Sequence, residues 1–238
     1  SDLCDQFNGI HEGLVQSWKD IFPKKGEIHF AGALENNEDT GTLQYLASTA
    51  MEAGFSTRVL DMQALDLQNG RFFDPAGELV NRCFKLYPWE WMVDESPDGC
   101  LAEMEWLEPI WKLVMSNKAI LATLYELFPD SPYVLPCYLS RPRSGLFCKK
   151  PVFSREGHNV SVVDIRDWEE YVRIAETEGD YNTGAYVYQE YVEPTAYSGR
   201  YPVIGSWIIG GEAAGIGIRE NRMEVTDNLS EFVPHIIG

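Results

Sequence analysis

Residues 28–34 read IHFAGAL and residues 56–60 read STRVL, and between them Leu43, Leu46, Ala47, Ala50 and Met51 recur at helical spacing. A buried strand, an amphipathic helix and a second strand in that order predict a βαβ unit in an open, partly parallel sheet. Asn36-Asn37-Glu38-Asp39 forms a turn that can cap the helix, and Gly54 stops it. Upstream, Ile10, Leu14, Trp18 and Ile21 predict a helix over 9–22, ended near Pro23. Downstream, Gln68-Asn69-Gly70 predicts a tight hairpin within 65–80, followed by a strand from Arg82 to Tyr87. Asp94–Gly99 reads as an acidic surface loop. Glu105–Phe128 reads as two helical stretches interrupted near Pro109, with Trp106, Ile110, Leu113 and Val114 on one stripe. Pro129, Pro132 and Pro136 then impose an extended connection.

Beyond Gly145 the pattern becomes strand-rich. Strands are predicted at 146–153, 159–163, 186–191, 201–209 and 214–219, the last two joined at Gly210-Gly211. A helix is predicted over 166–175, with Trp168, Val172 and Ala175 inward. The fold class is therefore α/β passing to α+β. The boundary is placed near 108, giving a βαβ subdomain over 1–108 and a second region over 109–238.

Hydrophobic residues make up 45% of the 238, enough for a large core and too many for a disordered chain. The net charge of −18 argues against nucleic-acid backbones; it suits a cationic substrate such as a polyamine, or simply a soluble acidic protein. The five cysteines, Cys4, Cys83, Cys100, Cys137 and Cys148, form no CxxC pair, which fits a reducing compartment better than a disulfide framework or zinc site. No apolar run approaches the ~20 residues of a membrane span, and the polar opening is unlike a signal peptide. The expected location is the cytoplasm.

Four segments carry candidate chemistry. The loop Ser154-Arg155-Glu156-Gly157-His158-Asn159 lies between two predicted strands. Its amides can cradle phosphates if Gly157 takes an unusual φ, and the alternative is an ordinary β-turn. Lys150, on the strand leading in, can aim its ammonium at a phosphate. Adjacent Lys149 must face the other way and reads as a solvated surface lysine. The strand through Gln189, Glu190 and Tyr191 can present its edge to adenine or can merely pack its aromatics. Arg219, closing the run Gly215–Arg219, suits a phosphate or developing oxyanion, or equally a surface ion pair with Glu220 or Glu224.

Trp111-Lys112 with Ser116–Leu121, Lys150-Pro151 with Ser154–Val160, Gln189-Glu190, Pro202–Trp207, Gly215–Glu220 and Phe232–His235 together resemble the glutathionylspermidine synthetase family. The resemblance extends back to Asp5–Asn8 and the helix at Ile10. It implies an ATP-grasp fold and an ATP-dependent acid–amine ligase that forms an amide through an acyl phosphate. In that reading 109–238 is the nucleotide-binding region and 1–108 the substrate side. Lys118 and Lys150 contact the ATP phosphates, residues 154–159 close over them as a mobile lid with Ser154, Arg155, Glu156 and Gly157 at the nucleotide, and Gln189, Glu190 and Tyr191 hold adenine. Arg219 stabilises the acyl phosphate. Glu38, Asp39 and Glu231 lie toward the amine substrate, helix capping being the other role for the first two. The expected substrates are a glutathione-like carboxylate and a polyamine-like amine. The family's acidic motif for Mg²⁺ is absent from these 238 residues and is expected upstream of Ser1, so the chain reads as an incomplete enzyme. The competing reading is a catalytically inactive nucleotide- or polyamine-binding module.

Overall fold

The computed structural model describes residues 5–167, 170–181, 184–223 and 230–237. The chain divides into two compact units: residues 1–113 with 206–216 and 236–238, and residues 114–205 with 217–235.

The first unit is built on a parallel sheet. Helix α1 (Ile10–Ile21) precedes strand β1 (Glu27–Gly32); helix α2 (Asn37–Glu52) links it to β2 (Ser56–Asp61). A meander of β3 (Asp66–Gln68), β4 (Arg71–Phe73) and β5 (Leu79–Val80) leads to β6 (Arg82–Leu86). Helices α3 (Trp89–Glu95) and α4 (Pro97–Cys100) then return the chain to β7 (Glu105–Leu107). The sheet order is β2-β1-β6-β7, with every pairing parallel. β1 is covered on both faces, which is why Ile28, Phe30 and Ala31 are all fully buried, with His29 buried among them. Ile28 and Phe30 face α1 and α2, with the Phe30 ring 5.5 Å from that of Trp18. Ala31 faces Phe72, Trp89 and Met92 on the other side. Trp18 Nε1 donates to Thr49 Oγ1 at 2.9 Å, satisfying the indole within the α1–α2 contact.

Asn36, rather than either acid, caps α2: its Oδ1 accepts from the Glu38 amide at 2.8 Å. The Asn69-Gly70 turn forms as expected, with φ of +50° and +76°. Two expectations fail in this unit. Residues 94–99 are largely helical, because Pro97 starts α4 at the position where proline is best tolerated. Residues 105–107 form an edge strand, not a helix. Trp106 there seats its ring 5.5 Å from Phe72 and 5.7 Å from Trp89, burial that a helical stripe with Ile110 and Val114 would forgo.

In the second unit, α5 (Leu113–Ser116, its first residue assigned to the first unit) and α6 (Ala119–Leu127) precede an antiparallel sheet. Its strands are β8 (Cys137–Tyr138), β9 (Gly145–Pro151), β10 (Ser161–Ile165), β11 (Tyr171–Glu176) and β12 (Tyr186–Glu190), in the order β11-β10-β9-β12-β8. The helix expected at 166–175 is absent from its described part: residues 171–176 are β11, whose Tyr171 pairs with Ile165. An alternating run beside an open sheet edge gains a ladder of hydrogen bonds that outweighs weak helical periodicity. Trp168, part of that expectation, lies outside the described residues. β13 (Tyr201–Ile209) and β14 (Glu212–Asn221) turn at Gly210 and Gly211, both at positive φ, and β15 (Glu231–Val233) completes a three-stranded sheet.

Candidate active site

The register of the five-stranded sheet decides which side chains meet. Residues directly opposite on antiparallel strands share a face. Val187 opposes Lys150, and Gln189 opposes both Cys148 and Cys137. Lys150, Gln189 and the two thiols therefore share one face. Lys150 Nζ donates to Gln189 Oε1 at 2.7 Å. Burial pushes both thiols above their ordinary pKa, against the pull of the nearby Lys150 charge. Among the described residues Lys150 makes no ion pair, so a neutral amide holds an ammonium whose charge is not neutralised.

Lys118 enters the same neighbourhood through the backbone. Its N–H donates to the Val152 carbonyl at 2.8 Å, two residues along from Lys150. Val152 in turn donates to Ala185, extending the β9–β12 ladder past Pro151. Asn117 Oδ1 accepts from the Ala119 amide at 2.9 Å and so turns the chain into α6 directly after Lys118. Lys118 Nζ donates to the Ser154 carbonyl at 2.5 Å and to its hydroxyl at 2.9 Å. Sequence residues 36 apart are thus joined at the entrance to the loop.

Three positions of that loop are left-handed. Glu156, Gly157 and Asn159 have φ of +52°, +73° and +55°. The His158 N–H donates to the Arg155 carbonyl at 2.9 Å, so Glu156 and Gly157 are the central pair of a tight β-turn, the alternative that the sequence left open. The distal half is tied down: Thr177 Oγ1 donates to the Gly157 carbonyl, and Asn159 Oδ1 accepts from the Tyr181 amide at 2.8 Å. Arg155 and Glu156 are exposed at the tip. The two lysines and the Ser154 hydroxyl have the chemistry to hold a polyphosphate. Among the described residues no group of three His, Cys, Asp or Glu side chains could hold a metal, so ligands for Mg²⁺ are not assigned to them.

Other predicted residues lie elsewhere. Glu190 is on the opposite face from Gln189, and its N–H donates to Pro136. The Tyr191 N–H donates to Leu146. Neither amide remains for an adenine edge. Arg219, exposed on β14, pairs across the ladder with Phe232, its guanidinium carbon 5.8 Å from the ring centroid. Among the described residues it makes no ion pair; Glu220 does not engage it, and Glu224 lies outside them. Glu231 opposes Glu220 and projects from the other face, where Arg200 Nη1 meets it at 3.0 Å. Glu38 and Asp39 belong to the first unit, in the first turn of α2, where carboxylates oppose the helix dipole favourably. Sequence reasoning missed Cys137, Cys148 and Thr177, which only strand register brings to the site. It also misjudged Lys149, which is half-buried with Nζ 3.9 Å from the Tyr186 ring centroid, not a solvated lysine.

The family profile described as glutathionylspermidine synthase preATP-grasp matches residues 1–238. The chain belongs to this family. Among relatives of this glutathionylspermidine synthase-family chain, a Haemophilus influenzae protein named as an acid–amine ligase is 35% identical over 243 residues, covering 97% of this chain and 62% of that protein. A trypanothione synthetase of Crithidia fasciculata is 28% identical, over 87% of this chain and 35% of its own length. The bifunctional glutathionylspermidine synthetase/amidase of Escherichia coli is 26% identical, over 97% and 42%. The chain thus spans less than two thirds of each of these relatives. In structure it resembles a protein from Methylobacillus flagellatus named as a gamma-glutamylcysteine synthetase, with a TM-score of 0.61 at 10% identity over 96% of this chain and 75% of that one. The fold is mixed α/β of the ATP-grasp type. Among the described residues no helix is long and apolar enough to cross a membrane.

Proposed function

We propose that this chain carries the nucleotide-holding part of an ATP-dependent acid–amine ligase, joining a glutathione-like carboxylate to a polyamine-like amine. The observation that carries the reading is the pair of lysines flanking the 154–159 loop, Lys118 held by Ser154 and Lys150 held by Gln189. Family membership and the names of the relatives support the ligase chemistry. ATP supplies a phosphoryl group that turns a carboxylate oxygen into a leaving group. Lys118 and Lys150 bind and orient the polyphosphate as point charges. The 154–157 backbone excludes water above it. Gln189, released by Lys150, offers its amide to the base. Arg219 supplies a planar fork of donors to the acyl phosphate and the tetrahedral oxyanion. Mg²⁺ is expected to accompany ATP, with ligands outside the described residues.

The test is amide formation by the full-length protein with glutathione, spermidine and Mg·ATP, followed as ADP release and product mass. ADP release coupled to an amide supports the ligase. Tight nucleotide binding with no ADP release across a panel of carboxylates and amines would instead favour an inactive binding module.

A further inference from the structure

We infer that the reverse face of the five-stranded sheet holds a second anion site, built by Arg141 and Lys149 and taking a small oxyanion, phosphate or carboxylate. The inference does not rest on the ligase reading, because strand alternation places this site across the sheet from Lys150. Lys149 opposes Ser161 and Tyr188, whereas Lys150 opposes Val187. Lys149, Arg141, Val163, Ile165, Tyr171 and Tyr188 line a cavity of about 110 Å³. That is room for a phosphate-sized group.

The charges in this cavity are unusual for so acidic a chain. Among the described residues neither Arg141 nor Lys149 makes an ion pair. Arg141 is held by the donation of Nη2 to the Asp167 carbonyl at 3.0 Å and by its position 5.0 Å from the Tyr171 ring centroid. Its Nε is buried with no hydrogen-bond partner. An orphaned guanidinium donor is costly unless something accepts from it. Lys149 is held by the Tyr186 ring, a contact that fixes the ammonium without neutralising it. Arg173, on the same face, is already engaged by Glu176, so it does not compete for an anion. The two cations lie over a buried floor of Val163 and Ile165, where an oxyanion can accept charge-assisted hydrogen bonds.

The experiment is a titration of this chain, methyl-labelled on valine and isoleucine, with inorganic phosphate and separately with acetate, at ionic strength held constant with chloride. Val162 and Val163 are adjacent but point to opposite faces, so they report separately. A saturable shift of Val163 and Ile165, with a midpoint independent of any shift at Val162 and Val187, is expected for at least one probe. Lys149→Met should weaken that binding at least tenfold and Lys150→Met should leave it unchanged. Shifts confined to Val162 and Val187, a linear unsaturated response to both probes, or unaltered binding in Lys149→Met would overturn the site. Arg141→Gln should match Lys149→Met; since it also loosens the Asp167 contact, the lysine variant carries the decision if that protein fails to fold.

Discussion

Replacing Lys150 with methionine keeps the aliphatic stem on the sheet and deletes the ammonium. In the resting structure this charge is held by the Gln189 amide oxygen and by no described carboxylate. Moving it to a phosphate therefore exchanges a hydrogen bond in which only the donor is ionised for one in which both partners are. Hydrogen bonds to charged groups contribute about 1.5–3 kcal/mol. At 1.4 kcal/mol per decade, the Kd for an unhydrolysable Mg·ATP analogue should rise about 10- to 150-fold. The fold should barely notice: Gln189 is half-buried and can turn to water, so the loss is about 1 kcal/mol at most, or about 2–4 °C in Tm. Lys149→Met is the internal control, because that side chain leaves the opposite face. Calorimetric titration of the full-length protein gives both constants. Equal affinities for the two variants, or a stronger effect at Lys149, would refute the assignment of faces and with it the nucleotide site.

Arg219→Lys in the full-length protein should lower amide-forming turnover on the order of 10²-fold with nucleotide affinity little changed, since a point charge cannot span two oxygens; wild-type steady-state kinetics would remove Arg219 from the mechanism. Leu43→Ala should cost about 2–5 kcal/mol in chemical denaturation, because Leu43 is fully buried between α2 and β1, where Gly32 leaves room for its side chain and for nothing larger. His29 is buried and its pKa is lowered, chiefly by desolvation and against the pull of Glu27 and Asp74. The unfolded chain thus binds this proton more readily, so its stabilising contribution is full above the ordinary value of 6.5 and declines as pH falls. Wild type should lose more stability than His29→Gln between pH 7.5 and pH 5.5 by denaturant titration, and equal losses would count against it. Thr177→Val should free the distal half of the 154–159 loop, seen as faster hydrogen exchange at the Val160 amide, which the Thr177 hydroxyl accepts from at 2.9 Å.

The sequence made legible whatever was local. The βαβ unit followed from an apolar strand, a striped helix and a glycine stop, and the Asn69-Gly70 turn from its own chemistry. Resemblance to an ordered set of motifs singled out Lys118, Lys150 and the 154–159 loop, and the fold joins Lys118 to Ser154 at the start of that loop. What stayed hidden depended on partners far along the chain. Residues 105–107 became a strand because Phe72 and Trp89 make a slot for Trp106. Residues 171–176 became a strand because β10 offers an open edge. The same reason hid the separation of Arg219 from Glu231 and of Gln189 from Glu190: a period of two is visible in sequence, but which face meets which partner is set by register.

The central claim, amide formation through an acyl phosphate, is tested most directly by an isotope transfer. The full-length protein is given glutathione labelled with ¹⁸O in its carboxylates, spermidine and Mg·ATP, and the released phosphate is weighed by mass spectrometry. Phosphoryl transfer to a carboxylate oxygen, attack of the amine nitrogen on the carbonyl carbon and departure of phosphate carry one labelled oxygen into each phosphate formed. The account predicts one ¹⁸O per phosphate in step with amide product. Unlabelled phosphate accompanying amide formation would contradict it.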